Sequence, residues 1–137
     1  MIDILYTTMR TGNTRDFVHK LIAAGIPASA VTEITDPTQP VPEKFVLFTA
    51  SYCSEDLEGI YHPTLQAWMD NHPDWHKHCK GTVVSGNRNF RSRYAAAGKM
   101  LARQYNIPML HNFELKGHPK DVDTVLYGLN KYFGDAQ

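Results

Sequence analysis

Three short polar stretches carry the residues best suited to chemistry. The first, Thr7-Thr8-Met9-Arg10-Thr11-Gly12-Asn13-Thr14, follows the strand-like run Ile2-Asp3-Ile4-Leu5-Tyr6 and precedes an amphipathic run from Arg15 onward. Strand, small-polar loop and helix start follow in that order. Thr11, Asn13 and Thr14 bring side-chain donors to a turn where the unpaired N–H groups and the positive dipole end of a helix converge, which makes a phosphate site. No lysine follows the glycine, so this is not a P-loop, and no Gly-x-Gly-x-x-Gly is present, so it is not a dinucleotide fingerprint. A phosphate here would be neutralised mainly by neutral hydrogen bonds. That suits a monophosphate in a shaped nest better than a triphosphate with magnesium.

The second stretch, residues 51–59 (Ser-Tyr-Cys-Ser-Glu-Asp-Leu-Glu-Gly), is polar, acidic and aperiodic. The third, Ser85-Gly86-Asn87-Arg88-Asn89-Phe90, is amide-rich and ends on an aromatic ring. Each follows a β-rich run, and the elements that must position them alternate strand and helix along the chain, the signature of an α/β fold. After the first loop, Phe17, Val18, Leu21 and Ile22 recur at helical spacing, and Gly25 with Pro27 ends that helix. A weak second strand is expected over residues 28–34. Residues 36–42 contain three prolines, which bars regular structure and marks a connecting loop. Residues 44–50 hold Phe45-Val46-Leu47-Phe48, apolar on both faces as a central parallel strand requires. Pro63 opens a helix through Leu65, Trp68 and Met69, and Gly81-Thr82-Val83-Val84 is a fourth strand. A helix bearing Tyr94, Ala97, Met100, Leu101 and Tyr105 follows, then a fifth strand from Pro108 to Leu115. Lys116-Gly117 turns into a last helix with Val122, Val125, Leu126, Leu129 and Phe133 inward. The expected architecture is a doubly wound five-stranded parallel sheet, order 2-1-3-4-5, with helices on both faces.

In that order the crevice beyond strands one and three is where the connections diverge to opposite faces, and a ligand is expected there. All three polar loops reach it. A planar heteroaromatic with a phosphate tail suits them: the nest holds the tail, backbone and asparagine amides read the polar edge, and Tyr52 or Phe90 stacks on the face. Flavin mononucleotide (FMN) meets that description.

Composition narrows the partners. The chain has 137 residues, with 14 Lys plus Arg against 14 Asp plus Glu, so one domain spanning residues 1–137 is expected and no global field draws nucleic acid or an acidic membrane. At this length roughly two-thirds of the extended surface is buried on folding, enough that neither metal nor disulfide is needed. Cys53 and Cys79 form no Cys-x-x-Cys pair, the N-terminus lacks a signal-peptide pattern, and no apolar run approaches the roughly 20 residues of a membrane span. A reduced, cytoplasmic protein is expected. Cys53 has no base beside it in sequence and reads as a bystander thiol. His72, His76, His78 and Cys79 match no zinc spacing, so no metal is assigned, and His19, His62, His111 and His118 read as surface or interface residues.

Thr11-Gly12-Asn13-Thr14 resembles the flavodoxin phosphate loop. The loop at Ser85-Gly86-Asn87-Arg88-Asn89-Phe90, the segment Ala102-Arg103-Gln104-Tyr105-x-Ile107-Pro108 and Phe113-Glu114-Leu115-Lys116-Gly117 resemble the NrdI family, flavodoxin-like accessory proteins of class Ib ribonucleotide reductase. The likeness covers essentially the whole chain. It implies an FMN protein whose reduced flavin reacts with oxygen and supplies superoxide, or electrons, for assembly of the dimanganese–tyrosyl radical cofactor. Implied partners are the radical-generating small subunit of that reductase, a flavin or thiol-linked reductase as electron donor, and molecular oxygen. Such a chain is an accessory factor more than an enzyme with a conventional substrate. Carried over by position, Thr8, Thr11, Asn13 and Thr14 hold the phosphate, with backbone from Met9 and Gly12. Ser51, Tyr52 and Cys53 edge the ring, Ser85, Gly86, Asn87 and Asn89 contact its polar side, Phe90 packs beside it, and Leu115 and Gly117 close the far side.

Two departures from the family pattern bear on this. Met9 stands where flavodoxins place Ser or Thr, which moves one phosphate bond to Thr8 or to a main-chain amide. The loop after strand three, glycine- or threonine-rich in better-known members, here carries Glu55, Asp56 and Glu58. One carboxylate about 8 Å from the ring at an effective dielectric of about 20 disfavours the anionic reduced flavin by roughly 2 kcal/mol. A lowered potential for the second one-electron step is expected. Three readings stand at this point: the reductase activator, a flavodoxin-type one-electron carrier, and a flavin-free phosphate-binding domain.

Overall fold

The structure is a computed structural model, and the residues described are 2–7, 12–50, 63–86, 96–114 and 117–133. Five strands form one parallel sheet: β1 (Asp3–Tyr6), β2 (Val31–Glu33), β3 (Phe45–Ala50), β4 (Cys79–Gly86) and β5 (Met109–Glu114). Their spatial order is β2-β1-β3-β4-β5. Helices α1 (Asn13–Ala23), α2 (Pro63–Asn71), α3 (Ala96–Tyr105) and α4 (Pro119–Phe133) connect or follow them. Because β1 has β2 on one side and β3 on the other, the chain changes direction across the sheet at β1/β3, which opens a crevice at their carboxyl ends.

Strand side chains alternate between faces, and both faces are covered. Ile4, Tyr6, Val46 and Phe48 pack with Phe17, Leu21, Val125 and Leu129 of α1 and α4. Leu5, Phe45 and Leu47 pack on the other face with Leu65, Trp68 and Leu101 of α2 and α3. Two-sided burial is the reason β3 is apolar without alternation: all six of its residues are buried.

The strand boundaries differ from the sequence expectation in two places. Residues 28–30 form a 3₁₀ turn, closed by the Ala30 N–H donating to Pro27 O at 3.0 Å, and only Val31–Glu33 pairs with β1. At β4 the strand extends from Cys79 through Gly86, beyond the expected residues 81–84 at both ends. Ser85 and Gly86 pair with Phe113 and Glu114, so they belong to the sheet and not to the loop. Between β4 and β5, Thr82 faces Met109 while Val83 faces His111, which leaves Leu110 as an extra residue. Gly81 makes room for it, since a Cβ there would lie 2.5 Å from Leu110 Cγ.

Candidate functional site

The first loop ends in a residue whose backbone conformation favours glycine. Gly12 has φ 71 and ψ 17, the left-handed region, and its carbonyl accepts the Asp16 N–H at 2.9 Å to start α1. Having no side chain, Gly12 supplies no cap, so the leading N–H groups of α1 face the loop with the helix dipole behind them. Asn13 is the first helical residue and is half-buried. The Arg15 side chain folds back over the turn, placing Nη2 2.7 Å from where a Gly12 Cβ would stand.

Four buried hydroxyls line the carboxyl edge of the sheet beneath this turn. Thr14 Oγ1 lies 3.0 Å from Ser85 Oγ, and Thr7 Oγ1 lies 2.7 Å from Thr49 Oγ1. None of the four side chains is more than 2% exposed. Each hydroxyl has one proton, so in a pair one member donates and the other keeps its O–H for a third group; in the Thr7–Thr49 pair that group is Ala50 O, to which Thr49 donates at 3.4 Å. The Thr14–Ser85 bond joins the first turn of α1 to the end of β4 and thereby locks the turn at Gly12 to that strand. Thr7 is further tied to β3 by its N–H, which donates to Phe48 O at 3.0 Å.

Charges surround this edge at two places. Tyr6 donates its hydroxyl to Glu33 Oε1 at 3.3 Å. Burial first, then the Glu33 carboxylate and its hydrogen bond, push the Tyr6 phenol above its ordinary range, and the charge of Arg15 acts in the opposite sense. On the far side, Gly117 turns the chain at φ 78 over the stacked rings of Phe17 and Phe113, whose centroids are 4.0 Å apart. Just beyond, Asp121 accepts the His118 N–H at 2.8 Å through Oδ2 and the His111 ring at 2.8 Å through Oδ1. Burial raises the Asp121 carboxyl, but these two hydrogen bonds and the His111 and His118 charges outweigh it, and the group titrates below its ordinary value. His111, expected at the surface or an interface, is therefore a half-buried tie between β5 and α4. The carboxylate on the first turn of α4 recruits it from β5.

Of the sequence-derived site residues, the structure brings Gly12, Asn13 and Thr14 together with Ser85 and Gly86 at the carboxyl edge. Gly117 lies against Phe17, the α1 residue three positions beyond Thr14. Thr8, Met9, Thr11, Ser51, Tyr52, Cys53, Asn87, Asn89, Phe90 and Leu115 lie outside the described residues, as do Glu55, Asp56 and Glu58. Thr7, Thr49 and Arg15 were given no role in the sequence reading. The visible signal for the first two was a threonine ending each of two apolar strand runs, Tyr6-Thr7 and Phe48-Thr49. The candidate metal residues go to separate partners: His72 lies against Trp68, His76 stacks on Tyr105 at 4.8 Å, and His78 Nδ1 lies 2.9 Å from Glu43 O. Cys79 is buried, donates to Gly81 O, and burial pushes its thiol up to about 12.

The chain matches the family model described as NrdI flavodoxin-like over residues 4–127. It is 35% identical over 124 residues to Protein NrdI of Streptococcus pyogenes serotype M2 (strain MGAS10270), covering 89% of this chain and 74% of that protein. Protein NrdI of the serotype M4 strain MGAS10750 is 34% identical over 124 residues, with 89% and 83% covered. Among solved structures, oxidised flavodoxin 2 from Bacillus cereus superposes with a TM-score of 0.64 at 13% identity, covering 97% of this chain and 100% of that one. Oxidised flavodoxin 1 from Bacillus cereus gives 0.62 at 14% identity, with 99% of each chain covered. Those superpositions establish the flavodoxin-like fold, and the sequence matches are specific: the chain belongs to the NrdI family of flavodoxin-like proteins.

Proposed function

We propose that residues 1–137 form one FMN-binding redox domain, acting in the cytoplasm as the accessory factor that supplies superoxide, or electrons, for assembly of the dimanganese–tyrosyl radical cofactor of class Ib ribonucleotide reductase. The observation that carries this reading is family membership joined to the geometry at the sheet edge. There a left-handed Gly12, the uncapped start of α1 and the Thr14–Ser85 pair meet at the β1/β3 switch point. The donor set fits a phosphate monoester. It offers backbone N–H groups at a helix start, the hydroxyls of the Thr14–Ser85 pair, and a guanidinium over the turn at Gly12.

In this reading residues 8–14 grip the phosphate, with Gly12 allowing the backbone to turn and Asn13 and Thr14 presenting helix N–H groups. Ser85 holds Thr14, so one hydrogen bond ties the grip on the tail to the strand that leads into residues 87–90. Ser51, Tyr52 and Cys53 edge the ring, and Asn87, Asn89 and Phe90 meet its polar side and face. Gly117, seated on the Phe17–Phe113 stack, closes the site with Leu115 and keeps water from its apolar wall. A bound flavin supplies reversible one-electron chemistry and, when reduced, reactivity toward oxygen. The protein supplies orientation, solvent access and local charge.

Reduced, flavin-loaded protein mixed with oxygen and a manganese-loaded radical subunit should generate the tyrosyl radical, read by electron paramagnetic resonance. Activation no greater than that from a generic flavodoxin would refute the accessory role. It would favour the second reading, a one-electron carrier, for which Glu55, Asp56 and Glu58 supply an acidic patch able to steer a basic reductase.

A further inference from the structure

We propose that a cavity on the α2 side of the sheet, under the loop between β2 and β3, is a second binding site, which takes a small molecule with a cationic head on a compact apolar body. Its origin is topological. The other strand-to-strand connections carry α1, α2 and α3, whereas residues 34–44 join β2 to β3 without a helix and hold three prolines. That part of the sheet face is roofed by the loop alone, and a cavity of about 250 Å³ lies beneath it. Leu5, Ile34 and Trp68, all buried, form its floor, and Pro40, Val41 and Pro42 its wall. Asp3 and Thr32, both exposed, stand at its mouth. Asp3 opens β1, and the flavin crevice lies past the other end of that strand, so the two sites are separate.

The loop is fastened in place. Gln39 Oε1 accepts the N–H groups of Thr35 and Asp36 at 2.6 and 2.7 Å, and Gln39 Nε2 donates to Glu33 O at 3.0 Å. From α2, Trp68 Nε1 donates to Gln39 O at 2.9 Å and Asn71 Nδ2 to Pro37 O at 3.0 Å. Settling the loop onto β1 and β2 would break these bonds, so the cavity is preformed and a ligand orders little on entry. The same bonds use up the Gln39 side chain, and Asp3 is the one ionisable group in the lining. Among the described residues its carboxylate makes no ion pair and no side-chain hydrogen bond. A carboxylate at the mouth of an apolar cavity favours a cation and opposes a phosphate, and the Thr32 hydroxyl adds a second acceptor. Size sets the body. An apolar cavity of about 150 Å³ admits benzene, and sites for drug-sized ligands begin near roughly 300 Å³, so this one suits a single ring with a short ammonium-bearing arm.

The test is titration of the full chain with benzylamine, its neutral analogue benzyl alcohol and the benzoate anion at neutral pH, followed by proton–nitrogen correlation NMR. The chain has two tryptophans; the Trp68 indole N–H, assigned with Trp75→Phe, reports on the loop through its bond to Gln39 O. Expected is a saturable shift of the Trp68 signal, with benzylamine bound about fivefold tighter than benzyl alcohol, the effect of one unit-charge contact in nearly aqueous surroundings, and benzoate weakest. Added salt should narrow that preference. Asp3→Asn should abolish it while leaving benzyl alcohol unchanged, and Val41→Phe, which thickens the wall, should weaken both. Equal affinity for the three probes, or wild-type benzylamine affinity in Asp3→Asn, overturns the assignment of a cation and with it the inference. A Trp68 signal that none of the probes moves overturns the cavity as a binding site. Neither result touches the flavin reading.

Discussion

Gly117→Ala isolates the constraint on the turn that the proposed site uses as its far wall. At φ 78 the substitution places an L-residue in left-handed backbone, which costs about 1–2 kcal/mol. The new Cβ would also stand 2.7 Å from Phe17 Cδ2, 2.9 Å from Phe17 Cε2 and 3.2 Å from a Phe113 ring carbon. These are not flexible tips. Phe17 and Phe113 are stacked with planes 14° apart, and Phe17 also contacts Phe48 at 6.3 Å between centroids. Moving the ring disturbs the core, and overpacking of this kind costs about 1–3 kcal/mol. The sum, about 2–5 kcal/mol, is a large share of a typical domain stability of about 5–15 kcal/mol. Urea unfolding followed by far-ultraviolet circular dichroism should show the midpoint falling with the slope unchanged. Gly25→Ala is the control for backbone alone, because at φ 124 its Cβ meets nothing within 4 Å. A second control pairs Gly117→Ala with Phe17→Leu, which should cost less than the two single changes added. Gly117→Ala within about 0.5 kcal/mol of wild type, the range of an ordinary surface change, would refute the packing reasoning.

Other outcomes follow from the same geometry. Ser85→Ala strands the buried Thr14 hydroxyl and should cost about 1–3 kcal/mol, whereas adding Thr14→Val should cost less than a second such loss; additive losses in urea unfolding would argue against the bond. Asp121 is held below its unfolded carboxyl value of about 3.9, so its stabilisation is complete above that pH and is lost as pH falls through the lowered folded value. The stability gap between wild type and Asp121→Asn should therefore shrink as pH falls below about 4; a gap that grows over that range would reverse the assigned sign. Cys79, with its thiol pushed up to about 12 and its side chain buried, should resist iodoacetamide at pH 8 in native protein and react in urea. Peptide mapping by mass spectrometry that finds Cys79 alkylated without denaturant would contradict its burial.

The fold was readable because its cause is local. Parallel strands covered on both faces give continuous apolar runs such as Phe45-Val46-Leu47-Phe48, and the helices between them show their periodic faces at Phe17, Val18 and Leu21. What escaped the sequence reading depends on neighbours far along the chain. Cys79-Lys80 and Ser85-Gly86 join β4 only because β3 and β5 offer ladder partners. The Leu110 irregularity needs the space above Gly81, and His111 is drawn inward by Asp121, ten residues later and on another element. At the candidate site, Gly12, Asn13 and Thr14 declared themselves through helix-start chemistry. The pairing of Thr14 with Ser85, 71 positions away, and of Thr7 with Thr49 could not be read from type or spacing. Arg15 looked like one more exposed helical residue, and only the turn at Gly12 gives its head somewhere to fold back.

The most direct measurement is titration of the chain with FMN, following the loss of flavin fluorescence. The predicted result is quenching that saturates at one FMN per chain, with a visible absorption spectrum altered from that of free flavin. A chain that leaves FMN fluorescence unquenched at any ratio would contradict the flavin site at the β1/β3 edge.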